Sequence, residues 1–278
     1  MDWIDALIMG LVQGLSEYLP ISSSGHLEIF HQVLGLNLAP EASLEFDVAL
    51  HVATVLSTLV VLWREFVPLC ASFFTFKWDG RTRYVLKILL SCIPVGIVGV
   101  VFKKQIEGLF GGNLLVVGTC LLVTAALLSF AYFTRTRRQQ LPDGTIADCG
   151  HDITWLDAFV IGIGQAIAVL PGLSRSGTTI ATGILMGDKR AAVAQFSFFM
   201  VIIPILGQAL LSVKDIVDGE AASTAAVGAI PLLVGFTAAF VSGCLACKWM
   251  IDLVKKGRLV WFALYCLLVG GMCLIYVL

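Results

Sequence analysis

Four stretches of this chain run for at least twenty residues without a charged side chain: Gly108–Thr134, Ala191–Val213, Ala221–Cys247 and Leu259–Leu278. A helix that crosses a bilayer needs ~20 consecutive apolar residues, so each run is long enough to span. Val48–Trp63 and Ile88–Phe102 are shorter, but Arg64, Lys87 and Lys103 stand at their ends. Such long side chains carry their charge out to the headgroups, so these two segments also span. Six spanning helices result. The composition agrees, with 58% hydrophobic and 13% charged residues and a mean hydropathy of +0.94, against roughly 25% charged in soluble domains. Asp2 and Asp5 stand where a secretory signal would carry basic residues, which argues against a cleaved leader. A net charge of −1 and the lack of a basic, aromatic-interleaved patch speak against a nucleic-acid partner. Of the eight cysteines, Cys92, Cys120, Cys244, Cys247, Cys266 and Cys273 fall inside apolar segments and read as small packing residues.

Two further apolar regions are interrupted by polar turns. Trp3–Leu19 leads into Pro20-Ile21-Ser22-Ser23-Ser24-Gly25-His26 and then Leu27–Leu36. Trp155–Leu170 leads into Pro171-Gly172-Leu173-Ser174-Arg175-Ser176-Gly177-Thr178-Thr179 and then Ile180–Gly187. Proline stops the first helix of each pair, and the Ser/Thr/Gly cluster supplies turn and capping groups for the second. Polar backbone at membrane depth is tolerated only inside protein or beside a water-filled cavity. Re-entrant helix hairpins are therefore predicted.

The two regions repeat each other. At an offset of 152, Trp3, Asp5, Ala6, Gly10, Gln13, Ser22, Ser24 and Gly25 recur as Trp155, Asp157, Ala158, Gly162, Gln165, Ser174, Ser176 and Gly177. Three spanning helices follow each hairpin, and an odd number of crossings inverts the second half. The predicted fold is an all-α integral membrane protein, one membrane domain over 1–278. Its inverted-repeat halves cover about 1–133 and 154–278, an architecture that places substrate sites between broken helices near the midplane. Gly10-x-x-x-Gly14 and Gly183-x-x-x-Gly187 read as close helix-packing motifs.

Basic residues fix the expected orientation. Arg64, Lys77, Arg81, Arg83, Lys87, Arg135, Arg137, Arg138, Lys189, Arg190, Lys248, Lys255, Lys256 and Arg258 fall on one side, and only Lys103, Lys104 and Lys214 on the other. The positive-inside rule makes the first side cytoplasmic. Both termini and the first hairpin then face outward, and the second hairpin enters from the cytoplasm. Cys149 and His151 are expected to be solvated in a cytoplasmic loop.

Arg175 carries the most chemical information. An arginine at membrane depth costs at least ~2.5 kcal/mol and needs an anionic partner; its planar fork suits phosphate. A structural ion pair with Glu17 is the competing use. Ser174, Ser176, Gly177, Thr178 and Thr179 around it would set hydroxyls and N–H groups at a helix N-terminus, which is an anion site. The first hairpin contributes Glu17, Ser22, Ser23, Ser24, Gly25 and His26. Ser23 and His26 are three apart and share a face if the turn is helical, a nucleophile–base spacing. Glu17, one turn after Gln13, suits a divalent cation. His51 and Asp47, at the start of a span, are secondary candidates.

Gln13-Gly-Leu-Ser-Glu17 with Leu19-Pro20-Ile21-Ser22-Ser23-Ser24-Gly25-His26 resembles the first motif of the bacterial undecaprenyl-diphosphate phosphatases, the bacitracin-resistance family. Pro171-Gly172-Leu173-Ser174-Arg175-Ser176-Gly177-Thr178-Thr179 resembles the second. The likeness extends from Trp3 to Leu278 in hairpin order and helix count. It implies a multi-pass enzyme of the bacterial inner membrane, its site open to the outer face. The enzyme would remove the terminal phosphate of the C55 isoprenoid diphosphate and recycle the lipid carrier for peptidoglycan. Ser23 would be the nucleophile and His26 its activator. Arg175, Ser174, Ser176 and Thr179 would hold the diphosphate, with Ser22, Ser24, Gly25, Gly177 and Thr178 beside them. Glu17 would position His26 or a divalent cation, taken as Mg2+. Some members carry glutamate where this chain has Gln13, which leaves Gln13 a weak metal ligand. The partners implied are the polyprenyl diphosphate and membrane lipids, and a homodimer is compatible with them. A polyprenyl-phosphate flippase is the alternative, since broken helices and a phosphate-binding arginine serve transport too. The acid-phosphatase-like lipid phosphatases require a histidine beyond Ser-Arg, and no histidine follows His151.

Overall fold

The computed structural model describes residues 1–36, 38, 40–75, 77–109, 113–134, 138–140, 146–148, 150–217, 227–255 and 259–277. Arg135, Arg137, Cys149, Lys256 and Arg258, and residues 221–226 of the third charge-free run, lie outside them.

Each region singled out as a hairpin is two helices joined by a tight turn: α1 (Trp3–Ser16) with α2 (Ser23–Val33), and α8 (Trp155–Ile167) with α9 (Arg175–Met186). Both open with the same device. Asp2 and Asp5 form a capping box on α1, and Thr154 and Asp157 form one on α8, satisfying N–H groups that a helix start leaves free. The boundaries differ from the sequence expectation in a consistent way. α1 and α8 stop three residues before Leu19 and Leu170, because the residue ahead of a proline is driven out of the α region. α2 and α9 start earlier than Leu27 and Ile180, because Ser22 and Ser174 accept hydrogen bonds from the Gly25 and Gly177 N–H groups and cap them. The motif residues Ser23–His26 and Arg175–Thr178 are thus first turns of helices rather than loop.

After the first hairpin come α3 (Pro40–Val61), α4 (Trp63–Phe74), α5 (Gly80–Val101), the short α6 (Lys103–Glu107) and α7 (Leu114–Phe133). After the second come α10 (Arg190–Met200), α11 (Ile202–Val217), α12 (Ala229–Lys255) and α13 (Leu259–Val277). Among the described residues, five helical spans are long and apolar enough to cross a membrane, with α10 and α11 joined as one over Arg190–Leu211. The α3–α4 pair, bent by 88°, makes a sixth. Ile97 and Val100 on α5, Leu233 and Leu245 on α12 and Ile275 on α13 are more than half exposed, as lipid permits and water does not. Arg138–Gln140 and Ile146–Asp148 pair as two antiparallel strands of three residues each in the loop between the halves.

The halves interlock. α1 packs on α12, where a Cβ on Gly10 would lie 2.3 Å from the Gly235 carbonyl oxygen and one on Gly14 2.5 Å from that of Ala239. α8 packs on α5 in the same manner, a Cβ on Gly162 falling 2.4 Å from the Ser91 carbonyl oxygen. Each hairpin thus lies against a spanning helix of the other half. The Gly10–Gly14 pair serves close packing as expected. In the second pair Gly183 packs on Val193, but Gly187 is the left-handed C-cap of α9 at φ +95°.

Candidate active site

The two turns meet tip to tip. A Cβ on Gly25 would stand 2.8 Å from the Gly172 Cα, and one on Gly177 would stand 3.3 Å from the Pro20 Cβ. Gly25 and Gly177 are repeat partners, as are Pro20 and Gly172, so one contact is made twice in opposite senses. The Ser176 hydroxyl donates to the Leu19 carbonyl at 3.2 Å and ties the second turn to the first.

Glu17, one residue beyond α1, is the centre. Its Oε2 accepts from the Ser23 hydroxyl at 2.5 Å and from the Gln13 amide at 2.9 Å. The Arg175 guanidinium stands 3.6 Å from its Oε1, and His51 Nε2 stands 3.6 Å from its Oε2. Ser23 and Arg175 therefore touch one carboxylate and lie less than about 9 Å apart, since two C–O bonds span at most ~2.5 Å. Each is the first residue of its hairpin's second helix, where free N–H groups and the helix dipole favour an anion.

The turn before Ser23 is held in an uncommon conformation. Ser22 sits at φ 70°, the one positive φ outside glycine among the described residues. Such a conformation costs on the order of 1–3 kcal/mol and is held only by its surroundings. Here the Ser22 hydroxyl caps Gly25, and its carbonyl meets His26 Nδ1 at 2.7 Å.

His26 is placed otherwise than its spacing suggested. Nδ1 is occupied by the Ser22 carbonyl, and Nε2 lies 2.7 Å from the Tyr265 hydroxyl, with the two rings stacked at 5.5 Å. Both ring nitrogens have partners other than Ser23. Because the Ser22 cap makes this segment helical, the i−4 carbonyl captures the imidazole, and Glu17 receives the Ser23 hydroxyl.

Of the remaining candidates, Ser24 lies 3.4 Å from Ser22 and Ser176 3.4 Å from Ser174, hydroxyl to hydroxyl. Thr179 donates to the Arg175 carbonyl at 2.8 Å. The Ser174 N–H donates to Thr124 at 3.1 Å, and the buried Thr178 hydroxyl has no hydrogen bond among the described residues. Asp47 faces away, its carboxylate 3.2 Å from His31 while its carbonyl meets His51 Nδ1 at 2.7 Å.

A cleft at the junction is lined by Glu17, Thr54, Gln165, Arg175, Ser176 and Thr179, with Val55, Phe198 and Ile205 as its apolar wall. Ser23 reaches it through Glu17. Gln165 is 1% exposed, and neither end of its amide has a hydrogen-bond partner among the described residues. Its identity with Gln13 across the repeat was visible in the sequence; its solitude was not. Gln13 bonds Glu17, whereas the residue 152 beyond Glu17 is Val169, which offers the second glutamine nothing. Tyr265, distant in sequence from both motifs, left no signal.

Residues 6–272 match the family described as bacitracin resistance protein BacA. A protein of Bacteroides fragilis named undecaprenyl-diphosphatase is 55% identical over 97% of this chain and 96% of its own length. One of Parabacteroides distasonis with that name is 54% identical over 97% of this chain and 96% of its own length. A third so named, from Methanobrevibacter smithii, is 38% identical over the same shares of the two chains. The chain belongs to the bacitracin resistance protein family.

Proposed function

We propose that this member of the family is a membrane phosphatase that converts undecaprenyl diphosphate to undecaprenyl phosphate and inorganic phosphate. One observation supports it above the rest: hairpins from opposite halves bring a serine hydroxyl and a guanidinium to one mostly buried carboxylate. Structural packing requires an ion pair at most. Phosphoryl transfer requires a positioned nucleophile, a proton acceptor and a cation for the phosphate oxygens.

In the proposed reaction the diphosphate displaces Glu17 from Arg175 and takes the guanidinium bidentately. The α2 and α9 N-termini and the unpartnered Thr178 and Gln165 groups receive the remaining oxygens. The Ser23 oxygen attacks the terminal phosphorus as its proton passes to Glu17. The bridging P–O bond breaks, its electron pair leaving with the lipid monophosphate. Water then cleaves the phosphoserine, releasing inorganic phosphate. His26, clamped by Ser22 and Tyr265, holds the helix carrying Ser23 in place. Val55, Phe198 and Ile205 give the first isoprene units an apolar wall.

The divalent cation implied by the resemblance fits the residues present. Gln13 Oε1, one turn before Glu17, is buried without a hydrogen bond from the described residues. An amide oxygen beside a carboxylate, completed by substrate oxygens, suits Mg2+. These two residues would hold it, and the ion would offset the charge of the diphosphate.

Fourteen basic residues on one side against three on the other support an orientation with both termini outside. The plasma membrane and a site open outward are what the resemblance of the two motifs implies. Phosphate release by the detergent-solubilised chain from the C55 diphosphate tests the reading. A flippase would bind the lipid and release none.

A further inference from the structure

At the far end of the second hairpin, His151, Asp157 and Asp188 converge outside the site above, each with a ligand atom within 4.8 Å of the others. The backbone builds this cluster. His151 pairs with the α9–α10 junction through its N–H to the Gly187 carbonyl at 3.1 Å and its carbonyl to the Lys189 N–H at 3.0 Å. Gly150 permits that approach, for a Cβ there would lie 2.6 Å from the Lys189 nitrogen. Asp157 arrives from the first turn of α8, held by the Thr154 N–H at 2.8 Å.

The ring orientation is informative. His151 Nε2 lies 3.1 Å from the Met186 carbonyl, so Nε2 carries the proton and donates. In the neutral ring Nδ1 then points a lone pair into the cluster, 3.1 Å from Asp188 Oδ1 and 3.7 Å from Asp157 Oδ2. The Asp152 carbonyl, at 3.2 Å, adds another acceptor. Asp188 is fully buried, and neither of its carboxylate oxygens receives a hydrogen bond from the described residues. Nearby cations are engaged elsewhere: Lys87 donates to the Ile153 carbonyl at 2.5 Å, and Lys189 pairs with Asp152 at 2.8 Å. A cation among these facing acceptors would satisfy them together.

We propose that His151, Asp157 and Asp188 bind a divalent transition-metal ion of the zinc class. Tetrahedral Zn2+ with bonds of ~2.0–2.2 Å sets its ligand atoms about 3.3–3.6 Å apart, close to the 3.1 and 3.7 Å separations here. Imidazole with carboxylates selects such an ion over Mg2+ or Ca2+. Donation of Nε2–H to a backbone carbonyl is the usual support of a metal-ligating histidine. The half-exposed His151 ring leaves an entry path and a fourth position for water. Bound there, the ion would staple the loop before α8, the first turn of α8 and the start of α10, and so brace the hairpin that carries Arg175.

The test uses the full chain in detergent, stripped with a chelator, desalted and titrated with Zn2+, with bound metal counted by elemental analysis. The wild type and Glu17→Gln should retain one Zn2+ each. Asp188→Asn and His151→Gln should bind at least tenfold more weakly. His151 is half exposed, so its variant remains informative if Asp188→Asn does not fold. Failure of the wild type to retain Zn2+, or retention by His151→Gln with wild-type affinity, would overturn the proposal. Loss in Glu17→Gln alone would also overturn it, by moving the ion to the other site. Phosphate release is measured separately and stands or falls without this site.

Discussion

The two hairpins are built alike and used differently. Both start with a capping box, turn at a proline and cap their second helix with a serine that accepts from a glycine N–H two residues into it. The next residue diverges: Ser23 in the first and Arg175 in the second, 152 apart. The first turn also carries Glu17, where the second has Val169. Two similarly built hairpins thus offer one helix N-terminus with a hydroxyl and one with a cation, and a single carboxylate touches both. The unpaired Gln165 is what remains of that asymmetry. Similar backbone devices build both hairpins, and the side chains at the second helix start are where they differ.

The division of labour can be broken at graded depth. Ser23→Ala should remove the proposed nucleophile and lower kcat by roughly a thousandfold or more with little change in KM, the pattern of a transition-state role. Near wild-type turnover would take the reaction away from the first hairpin. Arg175→Lys keeps the charge but loses the bidentate fork, so kcat/KM should fall by more than about tenfold, ~1.4 kcal/mol. The glutamines should separate cleanly. Gln165→Met should raise KM about tenfold without lowering the melting temperature, since the amide has no protein partner to lose. Gln13→Met should destabilise the fold by about 1–2 kcal/mol, because Glu17 loses a buried donor. Equal behaviour of the two variants would contradict the asymmetry. Smallest of all, Tyr265→Phe should cost about threefold to tenfold in turnover by freeing one side of His26.

Much of this was legible in the sequence because it rests on periodicity and chain chemistry. Charge-free runs mark the spans, and the repeat at 152 marks the hairpins. Glu17, Ser23 and Arg175 stood out as polar groups at membrane depth. Partner choice was not legible. Ser23 and His26 are three apart, but whether they meet depends on where α2 begins, and Ser22 at φ 70° moves that point. The Ser22 carbonyl then takes the imidazole, and Tyr265, more than two hundred residues on, completes its clamp. His51 looked secondary because it opens a span; tertiary packing of α3 brings it to Glu17. The cluster at His151 escaped notice because its ligands come from three elements joined by a backbone bridge rather than by sequence spacing.

The central claim is that the two hairpins act as one unit through Glu17. A double-mutant cycle tests it most directly, with kcat/KM for phosphate release measured for Ser23→Ala, Arg175→Lys and the pair together. Coupled residues do not add. The double variant should therefore lie within a fewfold of the worse single variant, because without the nucleophile the arginine's fork has little transition state left to stabilise. If the two losses instead multiply, the hairpins contribute independently, and the shared carboxylate is packing rather than mechanism.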